Sequence, residues 1–384
     1  MKRRAEARRA GPLAPFPMRW NRNDPLQILP YRGYGTPERL RLTGRVLQDE
    51  PIGAAGERDS VWRNLGNTWK RFESDEVPFA RLAARCEGWS GEVTADEEGY
   101  FTIDVSTAAR EGSGWQPGWQ PIELELLAPA PDPLLEAGGV RATGSFLVPP
   151  PEAAFGIISD IDDTVVETGV THRLAMARTV FLHNAHTRLP FKGVAAFYDA
   201  LCQGTHPAGC RNPIFFVSSS PWNLYDLLAD FMELQSIPRG PLLLRDYGLD
   251  RRTFAHTAGA EHKLGCIRPI LDLYPRLPFL LIGDSGERDP EIYRQVVREY
   301  PGRIRAVYIR RIEGRRPHRD DEVLALARET EAEGVPLLLC QDTEAAAAHA
   351  AAAGWIRRER IPDVHAEKKK DETAPSPLEA SLVR

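Results

Sequence analysis

Hydrophobic and polar positions along the chain fall into two textures. From about residue 31 to residue 150 the apolar residues recur every second position. Leu40, Leu42 and Val46 alternate with polar neighbours, as do Phe101, Ile103 and Val105. Ile122, Leu124 and Leu126 interleave with Glu123 and Glu125, and Val140, Ala142, Phe146 and Val148 close the series. A period of two is that of half-buried antiparallel strands. Between Thr94 and Phe101 the acidic stretch Ala95-Asp96-Glu97-Glu98-Gly99-Tyr100 predicts a hairpin turn. Together these elements predict a small all-β sandwich over 31–150. Its tryptophans, Trp62, Trp69, Trp89, Trp115 and Trp119, are expected in core and edge packing rather than on a binding face.

After Pro149-Pro150-Pro151 the pattern changes to short continuous apolar runs separated by amphipathic segments. Strands are predicted at Gly156–Ser159, Ile214–Ser218, Pro241–Leu244, Phe279–Ile282, Ile304–Ile309 and Pro336–Cys340. Helices are predicted at Leu174–Asn184, Val194–Gln203, Asn223–Leu234, Lys263–Tyr274, Pro290–Tyr300, Asp320–Glu333 and Thr343–Ala353. Buried strands alternating with helices predict an α/β domain over 151–356 built on a Rossmann-like parallel sheet. Segments 1–30, basic and proline-rich, and 357–384, charged with no apolar period, are expected to be disordered.

Composition narrows the class. With 384 residues of which 42% are apolar, the chain can bury a core in each of two domains. A net charge of -5 argues against a surface built for nucleic acid, and no nucleic-acid partner is expected. The five cysteines, Cys86, Cys202, Cys210, Cys266 and Cys340, are scattered and read as reduced thiols. No apolar run approaches the roughly 18 residues of a membrane span, and the basic N-terminus lacks the apolar stretch of a signal peptide. A cytoplasmic protein is expected, with peripheral contact at a membrane surface as a further reading, because Lys2, Arg3, Arg4, Arg8 and Arg9 could tether to anionic lipid.

The chemistry is concentrated at strand ends, where ligands bind in open parallel sheets. The first strand runs into Ser159-Asp160-Ile161-Asp162-Asp163-Thr164, three carboxylates in four residues, which repel one another unless a cation or proton compensates. The second ends in Ser218-Ser219-Ser220 before a helix, a ready anion site. A later helix carries His262-Lys263, and the strand Phe279–Ile282 leads into Gly283-Asp284-Ser285-Gly286-Glu287-Arg288-Asp289. Carboxylate, hydroxyl, ammonium and carboxylate in convergence suit metal-assisted phosphoryl transfer. A hard dication such as Mg2+ takes oxygen ligands and masks the charge that would repel an attacking carboxylate from a phosphate. His172, His183, His186, His256 and His262 have no metal-ligand spacing and are expected in ordinary surface roles.

This order of motifs resembles the haloacid dehalogenase-like (HAD-like) phosphatase superfamily. The strings Ser159–Thr164, Val217-Ser218-Ser219-Ser220-Pro221-Trp222 and Gly283–Tyr293 resemble one branch of it, the phosphatidate phosphatases of the actin-patch-protein type. The resemblance implies that Asp160 is the nucleophile and forms an aspartyl-phosphate, while Asp162 protonates the leaving alkoxide and then activates water. It implies Ser218 and Lys263 on the phosphoryl group, with Ser219 and Ser220 as alternatives for the hydroxyl and Thr164 bracing the loop on the substrate side. Mg2+ is then held by Asp160, the backbone carbonyl of Asp162 and Asp284, supported by Asp289, and Asp163 is a bystander.

The gaps of 49 residues from Thr164 to Ile214 and 44 from Ser218 to Lys263 leave no room for a large cap domain. An open cleft suits a phosphate on something large. The reading is therefore a phosphatase for phosphatidate or a related phospholipid. A phosphoprotein or soluble phosphomonoester is the alternative substrate, and a noncatalytic binding protein working through the β-sandwich is the alternative of another class.

Overall fold

The computed structural model describes residues 25–48, 76–107, 114–129, 139–162, 192–206, 209, 211–245, 256–312 and 318–373. The N-terminal part carries eight strands: β1 (Leu26–Pro30), β2 (Gly33–Gly35), β3 (Arg39–Gln48), β4 (Arg81–Cys86), β5 (Trp89–Thr94), β6 (Tyr100–Ser106), β7 (Gly118–Ala128) and β8 (Arg141–Val148). Hydrogen bonds join them in the order β1-β3-β2-β8-β7-β4-β5, with β6 on β3. All pairs are antiparallel except β2 with β8. The alternating residues named above, Leu40, Leu42, Phe101, Ile103, Ile122, Leu124, Phe146 and Val148, face one core together with Trp115.

Two expectations for this part are corrected. The segment 1–30, expected to be disordered, contains the strand β1, which pairs with β3 from Leu26↔Gln48 to Pro30↔Gly44. The Ala95–Tyr100 turn is real, but it does not close a hairpin: β5 pairs with β4 and β6 with β3. Asp96 makes the turn, its Oδ1 accepting the Glu98 and Tyr100 amides at 2.9 Å each. Turn chemistry sets where the chain reverses; packing of the flanking strands sets what they pair with.

The second part is a six-stranded parallel sheet of β9 (Gly156–Asp160), β10 (Ile214–Pro221), β11 (Leu242–Arg245), β12 (Phe279–Asp284), β13 (Ile304–Arg310) and β14 (Leu337–Cys340), in the order β11-β10-β9-β12-β13-β14. All six predicted strands are present. Numbered from β9, the order is 3-2-1-4-5-6, that of doubly wound sheets, whose ligand crevice opens where the order reverses, between the first and fourth strands. Both β9 and β12 are buried along their whole length, the reason their sequences are continuous apolar runs rather than alternating ones.

The helices are α1 (Val194–Gln203), α2 (Tyr225–Leu234), α3 (His256–Leu273), α4 (Asp289–Glu299), α5 (Arg319–Ala332), α6 (Thr343–Ala352) and α7 (Ile361–Thr373). The expected helix Leu174–Asn184 lies outside the described residues. The segment from 357 expected to be disordered instead folds as α7. Its Val364 is fully buried, and Glu367 and Asp371 accept the Ala196 and Gly193 amides at the start of α1, at 2.5 and 2.7 Å. Ala346, Ala347 and Ala350 of α6 are fully buried in the core cluster that also holds Val364. Helix α7 thus joins the core through one apolar residue and is otherwise tied by polar contacts, which apolar periodicity does not register.

The two parts share a tight seam. Tyr31 stacks on Trp222 with ring centroids 4.4 Å apart and planes 8° from parallel. Arg45 Nη1 donates to Asn223 Oδ1 at 2.9 Å, and the Tyr274 hydroxyl donates to the Gly35 carbonyl at 2.9 Å. No helix among the described residues is long and apolar enough to cross a membrane.

Candidate active site

Asp160 is the last residue of β9 and Asp284 the last of β12, so the two carboxylates flank the point where the strand order reverses. Asp289 opens α4 and turns back toward the same place: its Oδ2 accepts the Asp284 amide at 3.2 Å. Gly283 makes that possible, because a Cβ there would lie 2.3 Å from Asp289 Oδ2. Asp160, Asp284 and Asp289 each place a carboxylate oxygen within 4.8 Å of the others, and all three are buried.

Lys263 reaches into this group from α3. Its Nζ lies 2.6 Å from Asp160 Oδ1, 2.5 Å from Asp289 Oδ1 and 3.3 Å from Glu287 Oε2, with the lysine side chain only 2% exposed. Burial alone would pull the ammonium down, but Asp160, Asp289 and Glu287 outweigh it and hold Lys263 protonated, well above its ordinary value. Burial pushes the Asp160 carboxyl well above the ordinary range, against the pull of Lys263, and Asp289 and Asp162 push the same way. One ammonium cannot balance four neighbouring carboxylates in a site closed to water.

That surplus is the test of fit for a cation. Asp160 Oδ2 is buried and accepts no hydrogen bond among the described residues. With Asp284 and Asp289 beside it, the donor set is all oxygen, the preference of a hard dication. These residues fit Mg2+.

Asp162 belongs to a second group. Its Oδ2 accepts the Ser218 hydroxyl at 2.6 Å and the Ser219 amide at 3.2 Å, and its Oδ1 accepts the Ser220 hydroxyl at 3.0 Å. All of these come from the end of β10, the strand paired with β9. The Ser218 hydroxyl, expected on the phosphoryl group, is committed to Asp162 here and also accepts the Ser220 amide at 2.9 Å. Burial and Glu287 raise the Asp162 carboxyl, outweighing the bonds from Ser218 and Ser220. Thr164 and Asp163 lie outside the described residues. So do His172, His183 and His186.

Three contributors were not singled out by sequence. Glu287 sits in the loop between Asp284 and Asp289 and meets Lys263. Arg319, 5% exposed at the start of α5, donates to the backbone carbonyls of Ser285 and Glu287 at 2.8 Å each and pairs with Glu291. His262, expected at the surface, instead has Nε2 3.1 Å from the Ser218 carbonyl. A charged residue at a helix start was the only signal for Arg319, and nothing in its neighbourhood named the loop it holds.

A buried carboxylate where the strand order reverses, a hydrogen-bonded second carboxyl, a buried ammonium and an all-oxygen cluster thus meet on a parallel α/β sheet, an arrangement whose chemistry suits metal-assisted phosphoryl transfer. Residues 155–311 match the family described as "Phosphatidate phosphatase APP1, catalytic domain". The chain is 37% identical over 156 residues to phosphatidate phosphatase APP1 of Saccharomyces cerevisiae, covering 40% of this chain and 25% of that protein. It is 30% identical over 156 residues to an uncharacterized protein of Schizosaccharomyces pombe, covering 40% and 24%. The match thus takes in about a quarter of the length of these curated relatives. Among solved structures, a carbohydrate acetylesterase from Xanthomonas citri covers 77% of this chain and 71% of its own at 12% identity and a TM-score of 0.25, a likeness too low to carry an argument.

Proposed function

We propose that this protein is an Mg2+-dependent, HAD-like phosphatase that hydrolyses phosphatidate to diacylglycerol and phosphate through an aspartyl-phosphate on Asp160. The observation that carries the reading is Asp160 Oδ2, a buried carboxylate oxygen with no hydrogen bond among the described residues, lying where the strand order reverses and beside Asp284 and Asp289. The catalytic-domain match over residues 155–311 supports the substrate class.

In this reading the Asp160 carboxylate attacks phosphorus and the ester P–O bond breaks. The leaving alkoxide takes its proton from Asp162, whose raised carboxyl favours the protonated form. Asp162, now a carboxylate, then takes a proton from water as the water oxygen attacks the phosphorus of the acyl phosphate, which frees phosphate and restores Asp160. Ser219 and Ser220 hold Asp162 in place throughout, and Ser218 does so until substrate arrives and its hydroxyl turns to the phosphoryl group. Lys263 offsets negative charge on Asp160 and Asp289 and, with Ser218, is assigned to the phosphoryl oxygens. Asp160, Asp284, the Asp162 carbonyl and Asp289 would hold or support Mg2+, which supplies charge neutralisation at the phosphoryl oxygens. Reaching phosphatidate requires peripheral contact with a bilayer.

Phosphate release from phosphatidate vesicles with Mg2+, compared between wild type and Asp160→Asn, tests this. Release by the wild type and loss in the variant are expected. Activity surviving in the variant would overturn the mechanism, and activity on p-nitrophenyl phosphate without activity on vesicles would overturn the lipid substrate.

A further inference from the structure

The seam between the two parts encloses a cavity of about 140 Å³ along β11, the edge strand of the parallel sheet. Tyr31, Arg32, Tyr34 and Arg41 line it from the β-rich side, and Trp222 and Cys266 from the parallel-sheet side. Its polar chemistry is one-sided. Neither the Arg32 nor the Arg41 guanidinium makes a hydrogen bond or ion pair among the described residues, although both arginines are half-buried. Asp104, the acid nearest in effect to Tyr34, is committed to a two-point pair with Arg39 at 3.0 and 3.1 Å. Tyr34 is only 5% exposed and its ring packs edge-on against Phe215, yet its hydroxyl has no hydrogen-bond partner among the described residues.

Buried tyrosine hydroxyls ordinarily find a partner, and an unpaired arginine in a partly closed space keeps an unmet demand for an acceptor. Both demands here belong to residues that line one space. The Arg41 charge also acts on the Tyr34 hydroxyl and on the Cys266 thiol, each of which burial has pushed up to about 12, which places that cation among the cavity walls. Two planar forks supply donors only, and the hydroxyl can donate one more. The matching ligand presents several acceptor oxygens and negative charge, which a tetrahedral phosphate does better than a planar carboxylate or a neutral molecule.

We propose that this seam cavity is an anion subsite that binds a phosphate group through Arg32, Arg41 and Tyr34, separate from the catalytic centre. Trp222 follows directly on the strand end whose serines hold Asp162, so a phosphate bound here abuts the loop beside the reacting groups. This goes beyond the hydrolase reading and does not depend on it.

The test is a titration of the full chain with inorganic phosphate in EDTA, read by calorimetry. Without a divalent cation the catalytic carboxylates repel the anion. Saturable binding at one site is expected for the wild type, weakened about tenfold or more by Arg32→Gln or Arg41→Gln and several-fold by Tyr34→Phe, which keeps the ring on Phe215. Melting temperatures measured without phosphate show that the variants are folded. No saturable binding by the wild type, or wild-type affinity in both arginine variants, would overturn the proposal. Flotation with phosphatidylcholine vesicles containing phosphatidic acid, again in EDTA, distinguishes the source of the phosphate. Weaker flotation of the arginine variants assigns the subsite to a lipid headgroup, and unchanged flotation with weaker phosphate binding assigns it to a soluble phosphate.

Discussion

Lys263 and Asp160 form an ion pair of 2.6 Å in which the side chains are 2% and 0% exposed. Both charges are cut off from water, so each depends on the other and on what else enters the site. Removing one member of such a pair typically destabilises by about 3–5 kcal/mol, because the other is left buried and unpaired. Lys263→Met is expected to lower stability by that order in metal-free protein and to abolish phosphatase activity. Asp160→Asn is also expected to abolish activity, but to raise the melting temperature in EDTA, since it removes one of the crowded carboxylates while Lys263 keeps Asp289 and Glu287 as partners. Thermal melts with and without Mg2+ check both, and a lowered melting temperature for Asp160→Asn in EDTA would contradict the charge surplus.

Gly283→Ala places a methyl 2.3 Å from Asp289 Oδ2. Asp289 must move, and with it the bond to the Asp284 amide. Overpacking of this kind costs about 1–3 kcal/mol. The expected outcome is a modest fall in melting temperature, a large fall in turnover and a higher Mg2+ concentration for half-maximal activity, read from a metal titration.

Arg319 ties α5 to the loop carrying Asp284 and Glu287, although it lies beyond the matched stretch 155–311. Supports of this kind around a metal site change affinity or activity by about 10–100-fold when removed. Arg319→Gln is expected to act in that range, mainly on the Mg2+ requirement. Arg319→Lys is expected to recover little, because one ammonium cannot serve two carbonyls and Glu291 as the planar fork does.

The architecture of the parallel sheet was legible because its strands are buried on both faces, so apolar runs such as Phe279–Ile282 carry no competing helical pattern. Asp160, Asp284 and Asp289 were legible because each sits at a strand end or helix start within a motif, and Lys263 was legible from the order of motifs alone, since it lies inside α3 and not at the helix start expected for it. Arg319 and Glu287 were not: their roles come from contacts with backbone carbonyls and a distant ammonium, which leave no mark on spacing. The partners of β5 and β6 were hidden for a similar reason, since a turn declares itself locally and strand pairing does not. Helix α7 escaped notice because one buried residue, Val364, stands among charged ones.

Helix α7 should also govern stability. Glu367→Ala and Asp371→Ala each remove an acceptor at the start of α1, and losses of this type cost about 0.5–2 kcal/mol. Burial raises the Glu367 carboxyl above its ordinary value, more than the Ala196 amide lowers it. Its contribution to stability is therefore fully present below the ordinary carboxylate range and is lost as pH rises through the raised value. Glu367→Gln keeps an acceptor for the Ala196 amide, so denaturant melts across mildly acidic pH should show a flatter profile in this variant than in wild type.

The stack of Tyr31 on Trp222, with Arg45 reaching Asn223, has a practical consequence for anyone dividing this chain. The proline run at 149–151 invites a cut there. A fragment that begins after it would leave the indole of Trp222 naked toward solvent and the turn behind the Ser218–Ser220 hydroxyls without its brace. The β-rich part is in this sense a buttress behind the serines that hold Asp162, and assays on the excised fragment would measure that site with its buttress taken away.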